Sequence, residues 1–301
     1  MQPPEGTMAA QIDHSAERLL GIVLVTASAA VFGLAGVLTK SIHAEPLVIA
    51  CWRGLVGALL ITAYVFWQRG RRGSQSMRLG WRGWLMAVVG AAASLAFISA
   101  FKNTYVANVA IIYATAPFMA ALFAWLFIRE RVRSQTMLAA VLSLGGVGVM
   151  VFSGVGTGRP FGDGLALIMT ATSALYMVLI RTFRDTPAVW VGAVSAFLVF
   201  ALAWFVADPL AVSGHDAVLL VVFGISFAAA SILWTEGARR IPAAEAGLLG
   251  SAEVPFAVLF GWIFLAEFPP ATSLIGGAVV LSAVLAHAGR DWLQARALRS
   301  A

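Results

Sequence analysis

Residues 118–130 read FMAALFAWLFIRE, and residues 255–267 read PFAVLFGWIFLAE. Six of the thirteen aligned positions are identical, including Trp125 with Trp262 and Glu130 with Glu267. The two stretches lie 137 residues apart, and two fainter echoes flank them. Residues 52–58 (WRGLVGA) answer 190–196 (WVGAVSA), and residues 26–32 (TASAAVF) answer 170–176 (TATSALY). An internal repeat this long constrains the architecture before any local reading does. If an odd number of membrane spans separates the copies, they cross the bilayer in opposite senses, as in many secondary transporters.

The composition points to a membrane. The chain is 60% hydrophobic and 11% charged over 301 residues, whereas soluble domains are nearer half apolar and a quarter charged. Apolar runs of 18 or more residues recur along its length and predict spanning helices. The ~10-residue alternating segments of a membrane β-barrel are not evident. Ten spans are expected, at about 19–38, 47–67, 83–101, 105–128, 135–153, 163–181, 188–207, 216–235, 242–266 and 270–289. Residues 1–17 read as a polar, disordered cytoplasmic segment. The apolar run after Arg18 is too long for a signal-peptide core and reads as an uncleaved first span. Residues 154–162 connect two halves, 18–153 and 163–289, and 290–301 form a tail.

Arginine placement sets the expected orientation. With the N-terminus in the cytoplasm, 16 of the 20 Lys and Arg residues fall on the inner side. Lys40, Arg53, Lys102 and Arg159 remain at outer ends. The echoes then pair span 1 with 6, 2 with 7 and 4 with 9, each five spans apart. The expected fold is an all-α integral membrane protein built from two inverted five-helix repeats, with both termini cytoplasmic, in a bacterial inner membrane.

Ten spans in two halves, with spans 4 and 9 ending in the same apolar-Trp-apolar-Phe-apolar-x-Glu pattern, resemble the EamA branch of the drug/metabolite transporter superfamily. Residues 102–130 and 239–267 carry that resemblance. It implies a secondary transporter, of the kind that includes bacterial exporters of amino acids, among them aromatic ones. It also implies that spans 5 and 10 sit at the periphery. One departure is Glu253-Val254-Pro255, where the family pattern is Glu-Pro.

Polar residues inside apolar spans are the candidate site. Glu253 falls mid-span, where a charged carboxyl costs roughly 2.5–3.5 kcal/mol on insertion scales. It reads as a partner for a substrate ammonium, as a carrier of a coupling proton, or as a neutral strut beside Pro255. Tyr176, Ser173, Trp234, Tyr113, Thr26 and Ser94 are candidate cavity residues, although Ser and Thr also bond helix to helix in membranes. Glu245 and its repeat counterpart Asn108 are gate candidates. Pro117 and Pro255 are hinge candidates, since each removes an i→i−4 hydrogen bond. Glu130 and Glu267 read as structural acids in tight turns, and Asp163 as the cap of span 6. Gly145, Gly146, Gly148, Gly276 and Gly277 read as close-packing positions.

The single cysteine, Cys51, excludes an intramolecular disulfide and any cysteine-based metal cluster. The four histidines lack metal-ligand spacing, so no metal or cofactor is expected. The glycine-rich loop lacks the Gly-Lys-Ser/Thr of a phosphate loop, so ATP is not an expected partner. The basic residues sit in short loops, which argues against nucleic acid. A membrane-embedded enzyme would need acids, bases or nucleophiles clustered at one depth, and no catalytic set is found. The partners that follow are a small-molecule substrate, the lipid bilayer and a proton as coupling ion. The expected function is export of amino acids or similar small metabolites by alternating access, with multidrug or cationic-metabolite efflux as the alternative.

Overall fold

The computed structural model describes residues 5–72, 77–129, 137–138, 141–142, 145–148, 159–183, 185–241, 246, 249–268, 271, 274–282 and 286. Among them every regular element is helical. In chain order these are α1 (Glu5–Gly33), α2 (Ala35–Ser41), α3 (Pro46–Arg72), α4 (Gly80–Asn103), α5 (Val106–Tyr113), α6 (Ala116–Ile128), α7 (Pro160–Thr182), α8 (Ala188–Val206), α9 (Gly214–Ala238) and α10 (Glu253–Leu265). Among the described residues, seven segments are long and apolar enough to cross a membrane: Glu17–Ser41, Pro46–Gly70, Gly80–Asn103, Val106–Phe127, Pro160–Thr182, Ala188–Val206 and Gly214–Ala238. They coincide with expected spans 1–4 and 6–8, and α10 is a shorter apolar helix within span 9. Much of the fifth span and part of the tenth lie outside the described residues. Where helical turns of both are described they pack closely: a Cβ on Gly146 would sit 2.9 Å from the Gly276 carbonyl oxygen.

Packing exchanges the two halves. α4 lies along α7, and α1 lies along α9. α3 packs on α9, and α4 on α8; α5 and α6 pack on α7, and α1 on α10. α3 with α8, and α5 with α10, are repeat partners in direct contact. Swapping span 1 for 6, 2 for 7, 3 for 8 and 4 for 9 leaves this set unchanged, as a two-fold relation between halves requires. The partners run antiparallel. Glu267, just after α10, accepts a 2.9 Å hydrogen bond from the Val106 N–H at the start of α5. Trp52, early in α3, donates to the Pro209 carbonyl beyond the end of α8 at 2.8 Å.

The repeat also reappears in backbone detail. α6 and α10 have bounds shifted by 137 residues, from Ala116 to Glu253 and from Ile128 to Leu265. Each follows a two-residue turn, Ala114 and Thr115 in one copy, Ser251 and Ala252 in the other. Each ends on a left-handed cap, Arg129 at φ 55° and Ala266 at φ 49°. The breaks therefore coincide although the prolines, Pro117 and Pro255, do not. Proline removes one helical N–H wherever it stands in the first turn, and the turn before it supplies shorter bonds instead. Phe118 N–H bonds to Thr115 O, and Val254 N–H to Ser251 O.

Large apolar side chains cover the outside, among them Leu59, Trp81, Phe127, Phe205 and Trp262. Exposed apolar surface this continuous suits hydrocarbon rather than water. Trp67, Trp81 and Trp84 are exposed at one end, beside Arg69, Arg78 and Arg82, where interfacial aromatics gather.

Candidate functional site

A cavity of about 350 Å³ lies between the halves, at the lower end of the range for small-molecule sites. α1 and α2 supply Val31, Phe32 and Ala35; α3 supplies Arg53 and Gly54; α4 supplies Gly90, Ser94 and Phe97. Tyr113 closes α5, and Glu253 opens α10. Ser173, Tyr176, Ser195, Phe223, Ser226, Phe227 and Ser231 come from α7, α8 and α9. Both halves thus build the wall, which is small, neutral and aromatic apart from two ionisable groups.

Arg53 is the first of these. It was expected at an outer helix end, yet it is only 5% exposed. It stands seven residues into α3, ~10 Å along the axis from Pro46. Its guanidinium donates to Ser94 Oγ. The guanidinium carbon lies 4.7, 5.3 and 5.4 Å from the ring centres of Phe227, Phe223 and Phe97. Each desolvated cation–π contact reaches ~2 kcal/mol, which matches the ~2.5–3.5 kcal/mol cost of a basic group at helix centre once two or more rings share it. The signal available beforehand was the distance from Pro46: a charge nearly two turns inside a span is no longer at the interface.

Glu253 is the second. It is the first residue of α10, after the break at Ser251 and Ala252, rather than the middle of a continuous helix. A carboxylate in a first turn interacts favourably with the positive end of the helix dipole. Discontinuous helices of this kind hold substrate or ion sites in several transporter folds. Among the described residues its carboxyl has neither a hydrogen bond nor an ion-pair partner.

Five of the seven candidate cavity residues line this cavity: Glu253, Tyr176, Ser173, Tyr113 and Ser94. Thr26 and Trp234 do not. Thr26 is ~140° around the helix from Val31, on a different face. The Trp234 indole packs on Gly250, where a Cβ would lie 2.5 Å from Cζ3. The gate candidate Glu245 lies outside the described residues, as does Glu130. Asn108 is buried and donates to Asp163 Oδ1 at 3.2 Å and Oδ2 at 3.4 Å.

Asp163 therefore does not cap a helix. Arg159 is the N-cap of α7, and Asp163, in its first turn, accepts from Thr104 Oγ1 at 2.6 Å as well as from Asn108. The same end of the bundle holds Lys40 paired with Glu267, and Asp216 accepting from the His43 N–H at 3.1 Å. Glu267 does meet a free helical N–H, but that of α5 in the other half rather than of the helix following it. Three acids of the second half are thus each tied to the first half at this end. At the opposite end, Glu236 accepts from Tyr64 and from Gln68 Nε2, the latter at 2.6 Å. Trp190 Nε1 bonds the Met77 carbonyl there at 3.1 Å. The cavity lies between two sets of cross-half ties.

A family model described as the EamA-like transporter family matches residues 19–152 and 160–287. The chain is 27% identical over 265 residues to the uncharacterized transporter YwfM of Bacillus subtilis, covering 80% of this chain and 84% of that protein. It is 22% identical over 295 residues to solute carrier family 35 member G1 of Mus musculus, covering 91% and 80%. A solved crystal structure with 20% identity superposes at a TM-score of 0.60 over 90% of this chain and 96% of the other, a likeness of fold.

Proposed function

This chain belongs to the EamA-like transporter family, and on that premise we propose that it is a secondary transporter exporting amino acids or similar small metabolites by alternating access. The observation that supports this most is the cavity between the halves, walled by both and flanked at each end by a different set of cross-half contacts. Rocking one half against the other would exchange those ties while keeping the wall. In this reading the end with Lys40, Asp163 and Glu267 faces outward across a bacterial inner membrane, and the end with Tyr64 and Glu236 faces the cytoplasm. Flux is driven by a gradient rather than by ATP. Efflux of bulky cations is the alternative that the unpartnered Glu253 and the aromatic wall favour; the buried Arg53 opposes it, because a cation would share the cavity with a positive charge that has no counter-ion among the described residues.

Counterflow in proteoliposomes tests the reading, with amino acids, nucleosides and cationic drugs as the panel. Exchange of amino acids is the expected result. Movement of bulky cations alone would replace amino-acid export by multidrug efflux. Glu253→Gln separates two roles for that residue. Loss of pH-driven flux with exchange retained assigns it a coupling proton, and loss of both assigns it to substrate. No effect on either removes it from the site.

A further inference from the structure

We infer that the cavity is built for a zwitterion, with Arg53 receiving the carboxylate of the substrate and Glu253 its ammonium. This rests on the transport reading and specifies the substrate class of the same site. Arg53 and Glu253 line one cavity with opposite formal charges, yet no ion pair joins them. They come from different helices of different halves, α3 and α10. Ser94 and three phenylalanine rings hold the guanidinium, and Glu253 is placed on the cavity as the first residue of α10, after its break. Two buried opposite charges that met would neutralise each other. Without an ion pair between them, neither has a counter-ion among the described residues until a ligand arrives.

A zwitterion satisfies both charges at once. A monovalent cation would pair with Glu253 and leave Arg53 bare, and a monovalent anion would do the reverse. A site whose buried polar groups are left unpaired by an analogue rejects it far more strongly than a site that loses only an apolar contact. The guanidinium fork suits a carboxylate because it can donate two parallel hydrogen bonds. The remaining wall offers Tyr113 and Tyr176, Phe32, and open space beside Gly192 to an apolar or aromatic side chain.

The test uses full-length protein in proteoliposomes and counterflow competition. L-phenylalanine and L-leucine are each compared with the amine lacking the carboxylate and the acid lacking the amine. Wild type should prefer each amino acid over both analogues by at least about tenfold. Arg53→Gln should lose the amino acid and gain relative preference for the amine. Glu253→Gln should lose the amino acid and gain relative preference for the acid. If Arg53→Gln does not fold, Arg53→Lys retains the charge without the fork, and should keep the preference for amino acid over amine with weaker competition. An amine competing as well as its amino acid in wild type overturns the inference, as does a Glu253→Gln variant that still exchanges amino acids normally. Exchange of other solutes without a zwitterion preference overturns the inference alone. Absence of exchange for every solute overturns the transport reading and this inference with it.

Discussion

Two glycines on the cavity wall make opposite demands. A Cβ on Gly54 would lie 2.6 Å from the Ala196 carbonyl oxygen, so α3 and α8 touch backbone to backbone there. Gly54→Ala should force the helices apart and cost ~1–3 kcal/mol, as overpacking does. Gly192 has nothing within 4 Å of a built Cβ. Gly192→Ala should be neutral or stabilising, by up to ~1 kcal/mol from helix propensity. Gly192→Trp should fill the cavity and lower counterflow at least tenfold while thermal unfolding in detergent stays near wild type. A large drop in unfolding temperature for the tryptophan variant would mean the space is not open. Neither difference was legible in the sequence, where both residues are simply glycines in apolar spans. Arg53 was missed for a related reason. Counting basic residues by loop records position along the chain, whereas burial depends on which side of the helix a residue occupies and on three rings contributed by α4 and α9. Glu253, Tyr176, Ser173, Tyr113 and Ser94 were legible because a polar group inside an apolar span must find an interior.

The helices carry the repeat further than their side chains do. The identities at 118–130 and 255–267 announced it, but the matched breaks and the matched left-handed caps were not readable. Glycine is the usual signal for a left-handed cap, and here Arg129 and Ala266 stand in its place. The displaced proline of the second copy leaves the position of a kink open in the sequence, and the structure keeps the break in register with the first copy. A left-handed non-glycine residue costs roughly 1–2 kcal/mol. Ala266→Gly should therefore stabilise the protein by ~1 kcal/mol, read as a higher midpoint of thermal unfolding in detergent. Ala257→Gly, inside α10, should destabilise by ~1 kcal/mol. The same exchange would then have opposite signs nine residues apart. Equal destabilisation at both positions would show that the cap is not strained.

The whole molecule is built on inversion. Glu267 reaching Val106, and Trp52 reaching Pro209, make repeat partners antiparallel by contact, and the proposed orientation, from the arginine count, predicts a direction for that relation across the bilayer. Antiparallel partners place each set of cross-half ties at one face, so opening one face can leave the other closed. The orientation has a direct consequence for labelling. Asp185 lies between α7 and α8, and Leu210 between α8 and α9, so these positions belong to opposite faces. Cys51, the one native cysteine, is buried and gives a quiet background. Single cysteines at positions 185 and 210 should then report the topology in intact cells treated with a membrane-impermeant maleimide. With the N-terminus inside, the cysteine at 210 should label in intact cells, and the cysteine at 185 only after permeabilisation. The reverse pattern would invert the proposed direction of every tie and put the Lys40–Glu267 end on the cytoplasmic face. Labelling of both positions in intact cells would contradict the spanning of α8.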